Sequence, residues 1–406
     1  MNKLFIIADD LTGALDTGVC FASAGIRTCV RLPEGTAQPT ETEAYQVEVA
    51  IVESRHMQPK DAYTAVYETL SGASKNDYTH FYKKTDSALR GNIGAELAAT
   101  LSATQGKTIH FIPAYPKMNR VCRDGILYIN RDTPVSQSVF AQDPFNPVRH
   151  SGVLEIIAEQ TQTPAYLAQA EAGQYPEGIA VYNAETDEEI AAIGRHLVKD
   201  SQANLFAGCA GFANALPEIL NLGSSAEEET LPRGTIIVFC GSVNPISLNQ
   251  CAFAHSQGYP LYHLQEDGSF RDQDTVAGEM ISAASKSEIC MLDTGAGELD
   301  ATDEDVLTQS AVVAGRMSEI MARVLSHQKD SIPCIIGGDT LLAFAKDLGI
   351  SSLIPIKEMM PGVVLSRYLH NGTWHFLITK SGGFGSEDLF TKLYRELNEP
   401  EEKCWE

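Results

Sequence analysis

Basic charge is what this 406-residue chain has least of: 30 Lys and Arg stand against 53 Asp and Glu, a formal net charge of −23. A nucleic-acid partner needs a basic face to neutralise phosphates, so this balance argues against one. It does not exclude an anionic small molecule, because a few local cations can invert the field at one site. Nine cysteines are present, but no two form a Cys-x-x-Cys pair. An odd, dispersed set reads as reduced thiols of a cytoplasmic protein, not as a disulfide frame or a zinc site. No apolar run approaches the roughly 20 residues of a membrane span. Only the apolar run Leu4–Ala8 separates Lys3 from Asp9, too little for a signal peptide. GxGxxG after a strand, HExxH and GxSxG are all missing, which disfavours a dinucleotide enzyme, a zinc protease and a serine hydrolase. Gly106-Lys107-Thr108 comes nearest to a P-loop, but Leu101 stands where the first glycine belongs and a strand follows.

What is present is a regular alternation of short β-rich runs with helical segments. The hydrophobic content of 44% is ordinary for a globular protein. Strands are expected at Leu4–Ala8, Thr28–Leu32, Val47–Val52, Thr79–Lys83, Thr108–Ile112, Gly178–Tyr182 and Asn204–Ala207, with helices between, among them Ala213–Leu220. Such alternation predicts an α/β fold of largely parallel sheets with flanking helices. Around Gly223 to Arg233 the pattern breaks into a polar, acidic stretch, and a second series follows from Thr235. The predicted domains are therefore residues 1–228 and 229–406. Pro113 to Asn146 shows little periodicity and reads as a long functional loop, a candidate lid with Arg120 as its anion contact.

Chemistry-bearing residues cluster at strand ends. Asp9 and Asp10 follow the first strand and run into Thr12-Gly13, at the carboxyl end where open α/β sheets bind ligands. Asp is common as a helix cap, yet an adjacent pair needs a cation, a metal or a proton to hold it. Glu53-Ser54-Arg55-His56 follows another strand, and Lys83 to Asn92, with Lys84, Thr85, Asp86, Ser87 and Arg90, follows a third. Together they make a cradle for a polyhydroxylated anion, with Arg forks and Lys point charges. In the second half glycine replaces charge: Gly241-Ser242, Gly337-Gly338-Asp339-Thr340, Pro361-Gly362 and Lys380 to Gly385 all lie at strand ends. Backbone N–H groups at such turns approach phosphates, and a Cβ at Gly338 is expected to block that approach. The two halves describe a two-lobed small-molecule kinase with its active site in the interdomain cleft.

The chain resembles the four-carbon acid sugar kinases. The matching stretches are ADDLTGALDTG (Ala8–Gly18), SRHM (Ser54–Met57), KKTDSALRGN (Lys83–Asn92), GSVNPIS (Gly241–Ser247), GGDT (Gly337–Thr340), PGVVLSR (Pro361–Arg367) and KSGGFGSEDLF (Lys380–Phe390). The resemblance implies ATP-dependent phosphorylation of the C4 hydroxyl of a tetronate such as D-threonate or D-erythronate, with Mg²⁺ accompanying ATP. Carried over by motif, Asp10, Arg55, Lys84, Thr85 and Asp86 would hold the sugar acid, and Ser242, Gly337, Gly338, Asp339, Thr340, Gly382, Gly383 and Gly385 would hold ATP. From the residue pattern itself, Thr12, Ser87, Arg90 and Arg120 are expected to meet the acid as well, Gly362 to join the glycine turns, and Asp9 or Asp10 to act as the base. Gly383 stands where the family has Asn, which removes one side-chain contact. The KTDSxxRGN run leans away from the branch acting on 3-oxo-tetronates, which stays open as an alternative. So does a non-catalytic regulatory protein that binds both ligands, and a hydrolase or lyase needing no ATP. Partners beyond the sugar acid and ATP are not indicated, and a homodimer is left open.

Overall fold

The computed structural model describes residues 2–33, 45–73, 77–143, 145–201, 203–223, 229–266, 268–295 and 303–399. They divide into two units, one of described residues up to 223 and one from 229 onward. Residues 224–228 of the expected polar connection, including the expected boundary at 228, lie outside the described residues, as does Cys404. The other eight cysteines are free thiols. No helix among the described residues is long and apolar enough to cross a membrane.

The first unit is built on a parallel sheet. Its strands run, edge to edge, Thr28–Arg31, Val47–Ile51, Leu4–Ala8, His80–Lys84, Leu205–Gly208, Thr108–Ile112, Gly178–Val181 and Ala165–Leu167. Leu4–Ala8 is buried at every position, which is why it reads as an unbroken apolar run rather than an alternation. After this strand the chain lays two strands on one side of it and then crosses to His80–Lys84 on the other. Its carboxyl end is therefore the topological switch point of the sheet, the place where open α/β sheets bind ligands.

Three local expectations change. The strand expected at Thr79–Lys83 runs one residue further, so Lys84 is still in the sheet, in register with Ala8. The helix expected at Ala213–Leu220 is two short pieces, Ala210–Ala213 and Leu216–Ile219. Pro217 sits in the first turn of the second piece, where its missing N–H costs nothing. The long loop from Pro113 contains a small antiparallel sheet, Val121–Arg123, Ile126–Ile129 and Thr133–Pro134. Asp124-Gly125, both at positive φ, close its first hairpin, and that Asp-Gly pair is the hairpin signal the sequence carries.

The second unit has the strand order Leu261–His263, Ile289–Asp293, Ile236–Cys240, Ile332–Ile336, Thr373–Lys380, Val363–His370 and Ser352–Met360. The first five are parallel, and the last two join by antiparallel hairpins. Ser352–Met360 escapes the sequence pattern because two register shifts interrupt its alternation. One face of the sheet packs Val238, Cys240, Met291, Ile336 and Ile378 against Cys251, Phe390 and Leu393. Here Ile236–Cys240 is the switch strand, flanked by Ile289–Asp293 and Ile332–Ile336.

The buried imidazole of His110 lies with Nδ1 2.8 Å from the Tyr182 hydroxyl. Burial pushes its pKa down to about 4. Between pH 6.5 and 4 the unfolded chain binds a proton that the folded one refuses, so stability falls as pH falls through that window, by up to about 3 kcal/mol at 1.36 kcal/mol per unit. Denaturation curves across this range should slope less for His110→Gln than for the native protein; parallel slopes would contradict the assignment.

Candidate active site

At the first switch point three strand ends converge on one guanidinium. Ala8 is in register with Ile51 and with Lys84, so the residues just beyond each strand are neighbours. Asp10 caps the helix Leu11–Ala22, its Oδ1 accepting from Gly13 N at 2.8 Å. Its Oδ2 accepts from Arg55 Nη1 at 2.7 Å, while Arg55 Nε donates to Asp9 Oδ2 at 2.7 Å. Arg55 Nη2 also lies 3.7 Å from Asp86 Oδ1. Capping and charge pairing are thus both true of Asp10, one oxygen for each.

The electrostatics follow from this clasp. Burial pushes Asp9 up, but Arg55, with Lys83 and Lys84, holds it below the usual carboxylate range. Asp86 is likewise raised by burial and then held well below that range by Arg90 and Arg55. Arg90 grips Asp86 through Nε at 3.1 Å and Nη2 at 2.9 Å, and reaches Asp143 Oδ2 at 3.1 Å with Nη1. Leu89 and Gly91 at positive φ let the loop double back so that Ala88 N and Arg90 N also donate to Asp86. Lys83, part of the expected cradle, is neutralised: its Nζ lies 2.8 Å from Glu96 Oε2 in a fully buried pair that Ser54 Oγ completes at 2.6 Å. Successive strand residues point to opposite faces, and the sequence run alone hid that Lys83 and Lys84 part company.

At this site two cations, Lys84 and Arg120, form no ion pair with a carboxylate of the described residues. Lys84 is buried and donates to Thr85 O at 2.8 Å. Arg120, from the hairpin region, donates to Ser87 Oγ and lies over the Phe140 ring, 5.1 Å from its centroid. Burial pushes the Arg120 pKa down. Beside them Asp9 Oδ1 and Thr85 Oγ1 are buried and unpartnered, and Thr12 is half-buried in the first helical turn. A Cβ on Gly13 would lie 2.5 Å from Asp10 Oδ1 and 2.8 Å from Lys84 Nζ, which accounts for glycine there. His56 stays at the periphery, its Nδ1 2.7 Å from Asn146 Nδ2.

In the second unit the glycine turns gather at the carboxyl ends of neighbouring strands. Gly337, at φ 115°, precedes the helix Gly338–Asp347. A Cβ on Gly338 would meet no protein atom within 4 Å, so the space over this turn is open. Crowding within the protein lies at Gly241, where a Cβ would strike Thr340 Oγ1, at Gly382, 2.9 Å from Ser242 Oγ, and at Gly362, 2.7 Å from Phe384. Gly385 sits at positive φ, where a Cβ would strike Leu389, whereas a Cβ on Gly383 would come no nearer than 4.0 Å, to Asn244 Nδ2. Ser242 Oγ accepts from Asn244 N at 3.2 Å, and Asn244 caps the helix Pro245–Ser256. Asp339 is exposed and accepts from Ser310 Oγ at 2.6 Å. Lys380 closes the last strand, buried, its Nζ donating to Ser247 Oγ, Ser381 O and Gly382 O at 3.0–3.2 Å. Its place as the last strand residue before a glycine turn was the signal for it.

Residues 4–216 match the family model of a sugar-binding N-terminal domain, and residues 237–390 that of a nucleotide-binding C-terminal domain. The chain belongs to the four-carbon acid sugar kinase family. It is 28% identical to a D-threonate kinase of Salmonella typhimurium, over 97% of this chain and 98% of that protein. It is 26% identical to a D-erythronate kinase of Heliobacterium modesticaldum, over 98% and 99%, and 26% to a 3-oxo-tetronate kinase of Burkholderia multivorans, over 97% and 96%. The crystal structure of Haemophilus influenzae protein HI1011 shares the fold, with a TM-score of 0.72 at 19% identity, over 96% of this chain and 98% of that one.

Removing Arg55 would leave Asp9, Asp10 and Asp86, two of them buried, without the guanidinium that joins them. Arg55→Ala should therefore destabilise the protein by about 3–5 kcal/mol, the range for breaking a buried pair, measured by denaturant unfolding. An unchanged midpoint would contradict the clasp.

Proposed function

We propose that the protein transfers the γ-phosphoryl group of ATP to the C4 hydroxyl of a four-carbon sugar acid, with D-threonate or D-erythronate as the substrate. The observation that carries this reading is the pair of cations that form no ion pair, Lys84 and Arg120, beside a carboxylate cluster that Arg55 clasps. Three D-threonate kinases at 28–29% identity, against a D-erythronate kinase at 26% and 3-oxo-tetronate kinases at 24–26%, support D-threonate first among these acids.

In this reading Arg120 and Lys84 take the substrate carboxylate, Arg120 with a guanidinium fork and Lys84 as a point charge. Thr12, Thr85, Ser87, Asp86 and Arg90 surround the hydroxyls. Arg55 acts on the acid through the carboxylates it orders. Asp10 is the base: its side chain is 23% exposed where that of Asp9 is 4%, so it can meet a hydroxyl. Its carboxylate takes the C4 proton as that oxygen bonds to phosphorus and ADP departs.

The second unit fits a nucleotide. The open space over Gly338, the first N–H groups of a ten-residue helix and the buried Lys380 suit phosphates. Ser242, Gly337, Thr340, Gly362, Gly382, Gly383 and Gly385 keep the backbone close. Among the described residues no three His, Cys, Asp or Glu gather as a metal site. Mg²⁺ would arrive on the phosphates, where it spreads their charge, with Asp339 the nearest carboxylate to the turn.

An ADP-release assay over a panel of tetronates tests the reading. D-threonate or D-erythronate should release ADP, and Asp10→Asn should lower turnover about 10²-fold or more. Arg120→Ala should raise KM for the acid roughly 10- to 100-fold, as loss of a charge-assisted hydrogen bond implies, and leave KM for ATP unchanged. Binding of both ligands with no ADP released would instead identify a regulatory protein.

A further inference from the structure

Five residues stand in register across the carboxyl edge of the second sheet: His263, Asp293, Cys240, Ile336 and Lys380. Register partners in a parallel sheet face the same way, and the first two meet. His263 Nδ1 lies 2.5 Å from Asp293 Oδ1, which also accepts from Gly295 N at 2.9 Å. Gly295 holds that turn at φ 65°, where a Cβ would strike Gln265 O. Asp293 is buried, whereas the His263 side chain is 43% exposed. Neither His263 Nε2 nor Asp293 Oδ2 has a partner among the described residues. The glycine turns make no use of this pair.

Its position gives it a use. Neighbouring strands are about 4.8 Å apart, so Asp293 stands roughly 14 Å along the edge from Lys380, with the Gly241 and Gly337 turns between them. The row thus carries an ammonium at one end and, beside His263 at the other, a carboxylate. A nucleoside triphosphate carries all its negative charge at one end and two neutral hydroxyls on its ribose. Phosphates are drawn toward Lys380 and the glycine turns and repelled by Asp293. The free carboxylate oxygen accepts hydrogen bonds. When Nδ1–H donates to Asp293, the neutral imidazole presents Nε2 as a second acceptor. Two adjacent acceptors match two adjacent hydroxyl donors.

We infer that the His263–Asp293 pair holds the ribose hydroxyls of the nucleotide bound to the second unit and fixes its direction along the sheet edge. The inference rests on ATP binding at the glycine turns. Asp293 is the hydroxyl acceptor shielded from water, and His263 is both a second acceptor and the group that orients the carboxylate.

Calorimetric titration of the full chain with ATP, 2′-deoxyATP and 3′-deoxyATP tests it. The native protein should bind at least one deoxynucleotide about tenfold more weakly than ATP, about 1.4 kcal/mol. In His263→Ala and Asp293→Ala, ATP should weaken by a similar factor and the deoxy penalty should vanish, with sugar-acid affinity unchanged. His263 is half-exposed, so its variant gives the answer even if Asp293→Ala fails to fold. Equal binding of all three nucleotides by the native protein, or a penalty that survives in His263→Ala, would overturn the inference while leaving ATP binding intact. Failure of the native protein to bind ATP would overturn the nucleotide reading and this inference together.

Discussion

Arg55 is the residue on which the first unit depends. Three carboxylates from two strand ends point into one small volume, and no fold would tolerate them ionised there without a fixed cation. A guanidinium suits the task better than an ammonium because its donors diverge in a plane: Nε serves Asp9, Nη1 serves Asp10 and Nη2 faces Asp86. Arg55 shares this work with Arg90 on Asp86 and with Lys84 near Asp9, while Lys84 and Arg120 form no ion pair of their own with a described carboxylate. In the reading proposed above, those two cations are what lets an acidic protein receive an acidic substrate.

The second unit solves a different problem with different means. Phosphates need close backbone donors more than side chains, and in the proposed reading that closeness comes from turns without Cβ atoms. Gly241 passes against Thr340, and Gly382 against Ser242, at distances that a side chain would forbid. Charge enters sparingly: Lys380 lies among the Ser247 hydroxyl and two backbone carbonyls. Both units place their polar groups beyond a switch strand, Leu4–Ala8 in one and Ile236–Cys240 in the other, because a parallel sheet offers a crevice there and hydrophobic faces elsewhere.

Most of this architecture is legible in the sequence because buried parallel strands announce themselves as apolar runs, and because Asp9 and Gly337 directly follow such runs, Lys84 ends one and Arg55 stands just beyond another. What escaped legibility did so for identifiable reasons. Lys83 and Lys84 look alike in a linear run, yet pleating sends one to Glu96 and keeps the other for the site. Arg120 lies on a stretch whose short strands and left-handed turns carry no long period, so a folded hairpin reads as a loop. The Asp293–His263 contact joins residues 30 positions apart on neighbouring strands, and only strand order reveals it. Glycine crowding depends on what passes nearby, which is why Gly338 is open and Gly241 is not.

The central claim is that sugar acid and nucleotide are held by separate units, one through side-chain charge and the other through glycine turns. Amide hydrogen exchange on the full chain, with each ligand added alone, measures this directly. D-threonate or D-erythronate should protect residues around 9–13, 84–92 and 120. An ATP analogue that cannot transfer its phosphate should protect residues around 241–247, 337–341 and 380–385. Nucleotide protection confined to the first unit, or acid protection confined to the second, would contradict the account.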